Sequence, residues 1–203
     1  MTLKASIDSM QFPAPLAVGS RQGFTLIELL VTIVVGAVLA AIAIPAFQSF
    51  VMNDRDSAQI NSLAYSFNYA RSEAVKEDLP GGVTVCPSTG AICSGTAAWA
   101  QGWIVYYTDA NNTVQVLQTI PALAGSNTVT PAGAATAATG ITFLSSGMAT
   151  GLAGSMTQPL HIKVCDQRGP SFAREVVVNQ LGRVAASQTA GFAIDGTTPL
   201  ACP

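Results

Sequence analysis

Glu28 is the only charged side chain in an apolar run that extends from Phe24 to Phe47. It stands one helical turn after Phe24, and the small residue Gly23 precedes that phenylalanine. An ionised carboxylate inside a membrane segment costs about 2.5–3.5 kcal/mol on insertion scales, so a lone one is a candidate for pairing with a cation. The other groups that could do chemistry lie far downstream. They are Cys86, Cys93, Cys165 and Cys202, the single histidine His161, and the late cations Lys163, Arg168, Arg174 and Arg183.

None of the four cysteines forms a C-x-x-C pair, and one histidine cannot complete a close-spaced zinc site, so no metal centre is expected. If the bulk of the chain lies outside the inner membrane, the compartment is oxidising and two disulfides are the simplest outcome. Three pairings exist on paper. Cys86–Cys93 and Cys165–Cys202 are favoured, the first two being close in sequence and the last two bracketing the C-terminal region; four buried free thiols are the alternative. His161 lies between Leu160 and Ile162 in a strand-like run, where a surface or satisfied strand histidine is the expectation and a catalyst the alternative. There is no nucleophile motif, P-loop or dinucleotide fingerprint. Neither an enzyme nor a cofactor is expected.

The elements that would position these residues follow from pattern. Residues 24–47 span about 36 Å if helical, against a hydrocarbon core of about 30 Å. Arg21 just before the run favours an internal N-terminus and an external C-terminus. Pro45 is expected to kink the helix near its far end. Two other readings of this segment exist. Ala41-Ile42-Ala43 suits cleavage as an ordinary secretory signal, and an uncleaved signal anchor would have the same hydropathy. Neither accounts for Gly23-Phe24 followed by Glu28.

Residues 48–79 continue the helix. Ile60, Leu63, Phe67, Ala70 and Ala74 make one apolar face, while Arg71, Glu73 and Lys76 read as a solvated one. Asp78-Leu79-Pro80-Gly81-Gly82 stops it. Short strand-like runs then fill 80–203: 83–86, 102–108, 113–120, 140–144, 160–165, 174–180 and 183–187. Asp109–Asn112 is a turn. Pro121–Gly140 and Gly147–Met156 are poor in large apolar side chains and read as loops. Trp99 and Trp103 read as sheet core or cover, with a ligand surface as the alternative. The fold class is α+β, with a long N-terminal helix, transmembrane in its first half, packed on a C-terminal antiparallel β-sandwich-like domain.

The stretch G-F-T-L-I-E-L-L, Gly23 to Leu30, resembles the prepilin leader of type IV pilins and type II secretion pseudopilins. Ala70-Arg71-Ser72-Glu73-Ala74-Val75-Lys76 looks like the helix end of FimT/FimU-type minor pilins, in the wider GspH/FimT group. Cys86…Cys93…Trp99…Trp103…Asp109 and Gly182-Arg183-Val184 extend the resemblance. It implies a leader at 1–23 (from Met1, or from Met10 if translation starts there), cut by prepilin peptidase between Gly23 and Phe24. It also implies methylation of the freed Phe24 amine, and pairing of Glu28 with the amine of a neighbouring subunit during assembly. The implied partners are other major and minor pilins through the N-terminal helix, prepilin peptidase and the inner-membrane assembly platform. The implied location is the inner membrane, single-pass with a periplasmic domain, then a pilus on the surface of a Gram-negative cell. A GspH-type pseudopilin of type II secretion is the alternative.

Some FimT-type pilins bind DNA through a late G-R-x-R motif. Here the matching position reads Gly182-Arg183-Val184-Ala185, with the second arginine replaced. Lys163, Arg168 and Arg174 lie nearby in sequence. The formal charge is −2, and removal of Lys4, Asp8 and Arg21 with the leader makes it one unit more negative. A global basic field is absent, and one to four cations would give only weak, salt-sensitive DNA binding.

Overall fold

A computed structural model describes residues 23–134 and 138–202. The expected leader before Gly23, with Met1, Met10 and Arg21, lies outside the described residues. The chain divides into two compact units, Met1–Pro45 and Ala46–Pro203.

The helix α1 runs from Leu26 to Lys76, with Pro45 inside it. Its start has a local cause that the apolar run alone does not reveal. Thr25 Oγ1 accepts the N–H of Glu28 at 3.2 Å, and the Thr25 carbonyl accepts the N–H of Leu29 at 3.1 Å. Thr25 is thus the N-cap, and Thr-x-x-Glu is the sequence of a capping box. Its end falls at Lys76, three residues short of the expected Leu79. Asp78 adopts a positive φ of 46°, a left-handed geometry that Asp tolerates better than most residues, and the chain turns there before Pro80.

The expected apolar face is the one that is buried. Ile60, Leu63, Phe67, Ala70 and Ala74 pack into the core, together with the polar Asp56, Gln59 and Ser66. Ser66 is tolerated because its Oγ accepts the Trp103 indole N–H at 2.9 Å. A buried indole N–H without a partner would cost about 1–3 kcal/mol.

Among the described residues, nine antiparallel strands form two sheets. The first has the order β3-β2-β1-β5-β6 and the second β4-β7-β8-β9. In chain order they are β1 (Val83–Pro87), β2 (Trp103–Thr108), β3 (Val114–Ile120), β4 (Thr128–Gly133), β5 (Ile141–Phe143), β6 (Ala149–Gly151), β7 (Leu160–Cys165), β8 (Arg174–Val178) and β9 (Val184–Ala186). Side chains from α1 and from both sheets share one core, with Phe67, Trp99, Trp103, Phe143, Leu160 and Val176 among its members. Trp99 and Trp103 are fully buried, and the ring of Phe67 meets that of Trp99 edge-on at 5.8 Å.

Both supposed loops contain strands. β4 lies within 121–140 and pairs with β7, placing Pro131 opposite Ile162. β4 is an edge strand, where a proline without an N–H is tolerated. β6 lies within 147–156 and pairs with β5. Their small residues gave no amphipathic signal, and the ladder to an apolar neighbour holds them instead. Cys86 is bonded to Cys93, and Cys165 to Cys202.

Candidate functional site: the exposed head of the helix and its mounting

The first part of α1 carries large apolar side chains that no other described residue covers. Phe24, Leu26, Ile33, Leu39 and Phe47 are each more than 60% exposed. One helix in the described residues is long and apolar enough to cross a membrane, and it is this one. Gly23, Phe24 and Glu28 are all exposed at its head. Among the described residues, no atom beyond its chain neighbours lies within 4 Å of the place a side chain on Gly23 would occupy. No described residue packs over Gly23, and Phe24 is 81% exposed. The Glu28 carboxylate has no cation partner among the described residues.

The mounting of the helix begins just beyond. Arg168, from the loop after β7, reaches α1 with both terminal guanidinium nitrogens. It donates to the Ser49 carbonyl at 3.3 Å, to Asn53 Oδ1 at 2.8 Å and to Asp56 Oδ2 at 3.1 Å. Its Nε donates to Asp166 Oδ2 at 2.5 Å, and the plane lies 4.0 Å from the Phe172 ring centroid. The Asn127 amide donates to Asp56 Oδ1 and to Gln59 Oε1, each at 2.6 Å. Burial raises the Asp56 carboxyl above its ordinary value. The Asn127 hydrogen bond opposes this, the Asp166 charge adds to it, and Arg168 lowers it again. Here desolvation outweighs the ion pair, as it does for many buried pairs.

This network overturns one expectation. Arg168 was a candidate cation for DNA, but its donors are spent on α1 and Asp166. The other three candidates do not join it in one patch. Lys163 donates to the Ala201 carbonyl at 3.0 Å and stands opposite Glu175. Arg174 is half-buried at the start of β8. Arg183 is exposed in the turn beyond the other end of that strand, five residue steps or about 17 Å from Arg174 along the strand. The local positive region suggested by sequence proximity is therefore dispersed.

His161 and Glu175 occupy the outer face of the second sheet. The His161 Nδ1 lies 2.8 Å from Glu175 Oε1, and the Ile194 N–H donates to Glu175 Oε2 at 3.3 Å. Glu175 is buried beneath the C-terminal tail, and both of its oxygens are bonded. Among the described residues no group of three or more His, Cys, Asp or Glu side chains could hold a metal ion.

Arg71 is the second correction. Instead of lying on a solvated face, its Nε donates to the Gly147 carbonyl at 3.1 Å and its Nη2 to the Leu181 carbonyl at 3.3 Å. It binds the β5–β6 turn and the β8–β9 turn to the helix. Glu73 and Lys76 do stay at the surface, with Lys76 3.9 Å from Glu73 and 2.8 Å from Glu77. Sequence reasoning missed Thr25, although Thr-x-x-Glu was there to be read. It also missed the Asp56–Arg168 pair, for which a separation of more than 100 residues leaves no local signal.

A family model described as type II transport protein GspH matches residues 59–182, more than half of the chain. A second, the prokaryotic N-terminal methylation motif, matches residues 19–44. No curated protein matches the chain. Among solved structures, the type IV minor pilin FimU of Pseudomonas aeruginosa (strain PAO1) is similar in two crystal forms. The P21 form has a TM-score of 0.49 and 17% identity over 69% of this chain and 98% of that one. The P65 form has a TM-score of 0.48 and 16% identity over 64% and 90%.

Proposed function

The chain belongs to the family of type II transport protein GspH, and from that premise we propose that it is a minor pilin, a structural subunit that enters and helps prime a type IV pilus. Prepilin peptidase removes the leader after Gly23, and the new Phe24 amine is methylated. The chain then waits in the inner membrane with residues 80–203 in the periplasm. During assembly, Glu28 pairs with the terminal amine of a neighbouring subunit, which sets the axial register of insertion. The assembly platform moves it into the filament.

The observation that carries this reading is the contrast along one helix. Its head, up to Phe47, is apolar and uncovered with a single carboxylate, while its later turns build the core of a β domain. A membrane covers the head before assembly, and other pilin helices cover it afterwards. In a low-dielectric bundle, the amine–carboxylate pair offsets the desolvation of both charges. Mass spectrometry of Phe24 tests the processing step. Glu28→Ala should leave cleavage largely intact and reduce incorporation into sheared pili; equal incorporation would remove the assembly role.

A pseudopilin of type II secretion is the second reading, favoured by the family's own description. Complementation separates the two, since loss of secretion without loss of piliation selects the pseudopilin. DNA uptake has thinner support. Of the four candidate cations, Arg183 is the one that is exposed and has no side-chain partner among the described residues. A mobility shift at low salt that Arg183→Ala abolishes would restore it.

A further inference from the structure

Resting on the minor-pilin reading, we infer that a groove beside Arg55 receives the Phe24–Glu28 turn of another subunit's N-terminal helix, with Arg55 as the counter-charge to that subunit's Glu28. The groove holds about 420 Å³ and is lined by Phe47, Gln48, Val51, Met52, Arg55 and Gln167. Its wall is largely apolar, with Phe47 68% and Val51 37% exposed.

Three features select this occupant. The first is length. From Leu26 to Met52 the helix covers about 40 Å, whereas a hydrocarbon core covers about 30 Å. The last turns before the mounted part of α1 therefore project beyond the lipid with apolar side chains that need another cover. The second is charge. Arg55 is half-buried yet makes no hydrogen bond or ion pair among the described residues. Its guanidinium lies over Gly125, where a Cβ would meet Nη1 at 2.4 Å. The neighbouring acid Asp56 is engaged by Arg168 and Asn127. A cation partly withdrawn from water without a partner is poised for a carboxylate from outside. Glu28 is the mirror case, a carboxylate in an apolar segment without a cation.

The third feature is spacing. Val51 to Arg55 and Phe24 to Glu28 are both four-residue steps, about 6 Å along one helix face in the same direction. A second helix running parallel to α1 can set its Phe24 against Val51 and Phe47 while its Glu28 meets Arg55. One carboxylate oxygen would still be open to a terminal amine, so the contact adds to the assembly pairing and does not replace it. The opposite chain direction would put Phe24 on the guanidinium and leave the carboxylate in the apolar part.

The test uses the processed full chain in detergent micelles, with benzoylphenylalanine in place of Val51. The probe is a biotinylated synthetic peptide of residues 24–40. Irradiation should label the peptide within its first turns. Arg55→Glu should cut the yield about tenfold, the change expected from about 1.4 kcal/mol, and Arg55→Lys should retain most of it. A peptide carrying Glu28→Arg should recover the yield on the Arg55→Glu chain. Equal yields for every charge combination, or adducts with detergent alone, would overturn the inference. Thermal melting of each variant controls for folding, which Arg55 does not support through any hydrogen bond. A failed charge swap with normal Glu28 dependence of pilus incorporation removes only the groove; loss of that dependence removes the underlying reading.

Discussion

Gly182 lies so close to Gly147 that a Cβ on Gly182 would stand 2.0 Å from the Gly147 carbonyl oxygen. Both have positive φ, 71° and 78°, and Arg71 donates to that same carbonyl at 3.1 Å. The glycine of the Gly182-Arg183 motif therefore closes a three-way joint between the helix and two hairpin turns, one from each sheet. Gly182→Ala would add both a left-handed backbone penalty and a clash with backbone. A loss on the order of 2 kcal/mol or more is expected, read as a lower thermal midpoint of the full chain in detergent.

Arg71→Ala should open the same joint from the helix side. It removes two hydrogen bonds from a charged donor, so about 2 kcal/mol is expected. Arg71→Lys should recover only part, because one ammonium does not reproduce the fork that reaches two turns. Hydrogen exchange at Gly147 and Gly182 should rise in both variants.

Arg168→Ala would leave Asp56 and Asp166 buried without their cation, at a cost of about 3–5 kcal/mol near neutral pH. The folded-state value of Asp56 is raised by burial. Its contribution to stability is therefore full below its unfolded value near 3.8 and is lost as pH rises through the folded value. The defect of Arg168→Ala should accordingly be smaller at pH 3.5 than at pH 7. Denaturation at the two pH values checks this, and an equal loss at both would refute it.

Asp195 should show the opposite slope. It accepts the N–H groups of Thr197 and Thr198 at 2.9 Å each and the Thr198 hydroxyl at 2.5 Å. The hydroxyl and backbone bonds of Thr198 lead in lowering its pKa to about 2. Its contribution is present above pH 3.8 and fades as pH falls toward 2. Asp195→Asn should remove that acid dependence, measured as exchange at Thr197 and Thr198 between pH 2 and 4.

The two disulfides should differ in weight. Cys165–Cys202 spans 37 residues and Cys86–Cys93 spans seven. Loop-closure entropy gives about 4 kcal/mol for the first and about 2.5 kcal/mol for the second. Serine replacement of each pair, followed by thermal melting, tests the order.

What could be read along the chain was what depends on near neighbours. The head of the helix was legible because a lone carboxylate in an apolar run is conspicuous whatever the fold. The buried face Ile60–Ala74 and the strand at 160–165 were legible because period and burial coincide there. Tertiary structure decided the rest. β4 and β6 exist because sheet neighbours supply the ladder that their small residues could not signal. Arg168 and Arg71 look like ordinary surface cations in sequence. Their roles arise only when folding brings Asp56 and the Gly147 carbonyl within hydrogen-bond reach, across chain separations of 112 and 76 residues. The chemistry proposed for Gly23, Phe24 and Glu28 was read from sequence alone, and all three are exposed in the structure. The three-dimensional arrangement decided which cations remain free, because a charge is spent or available only according to what lies beside it in space.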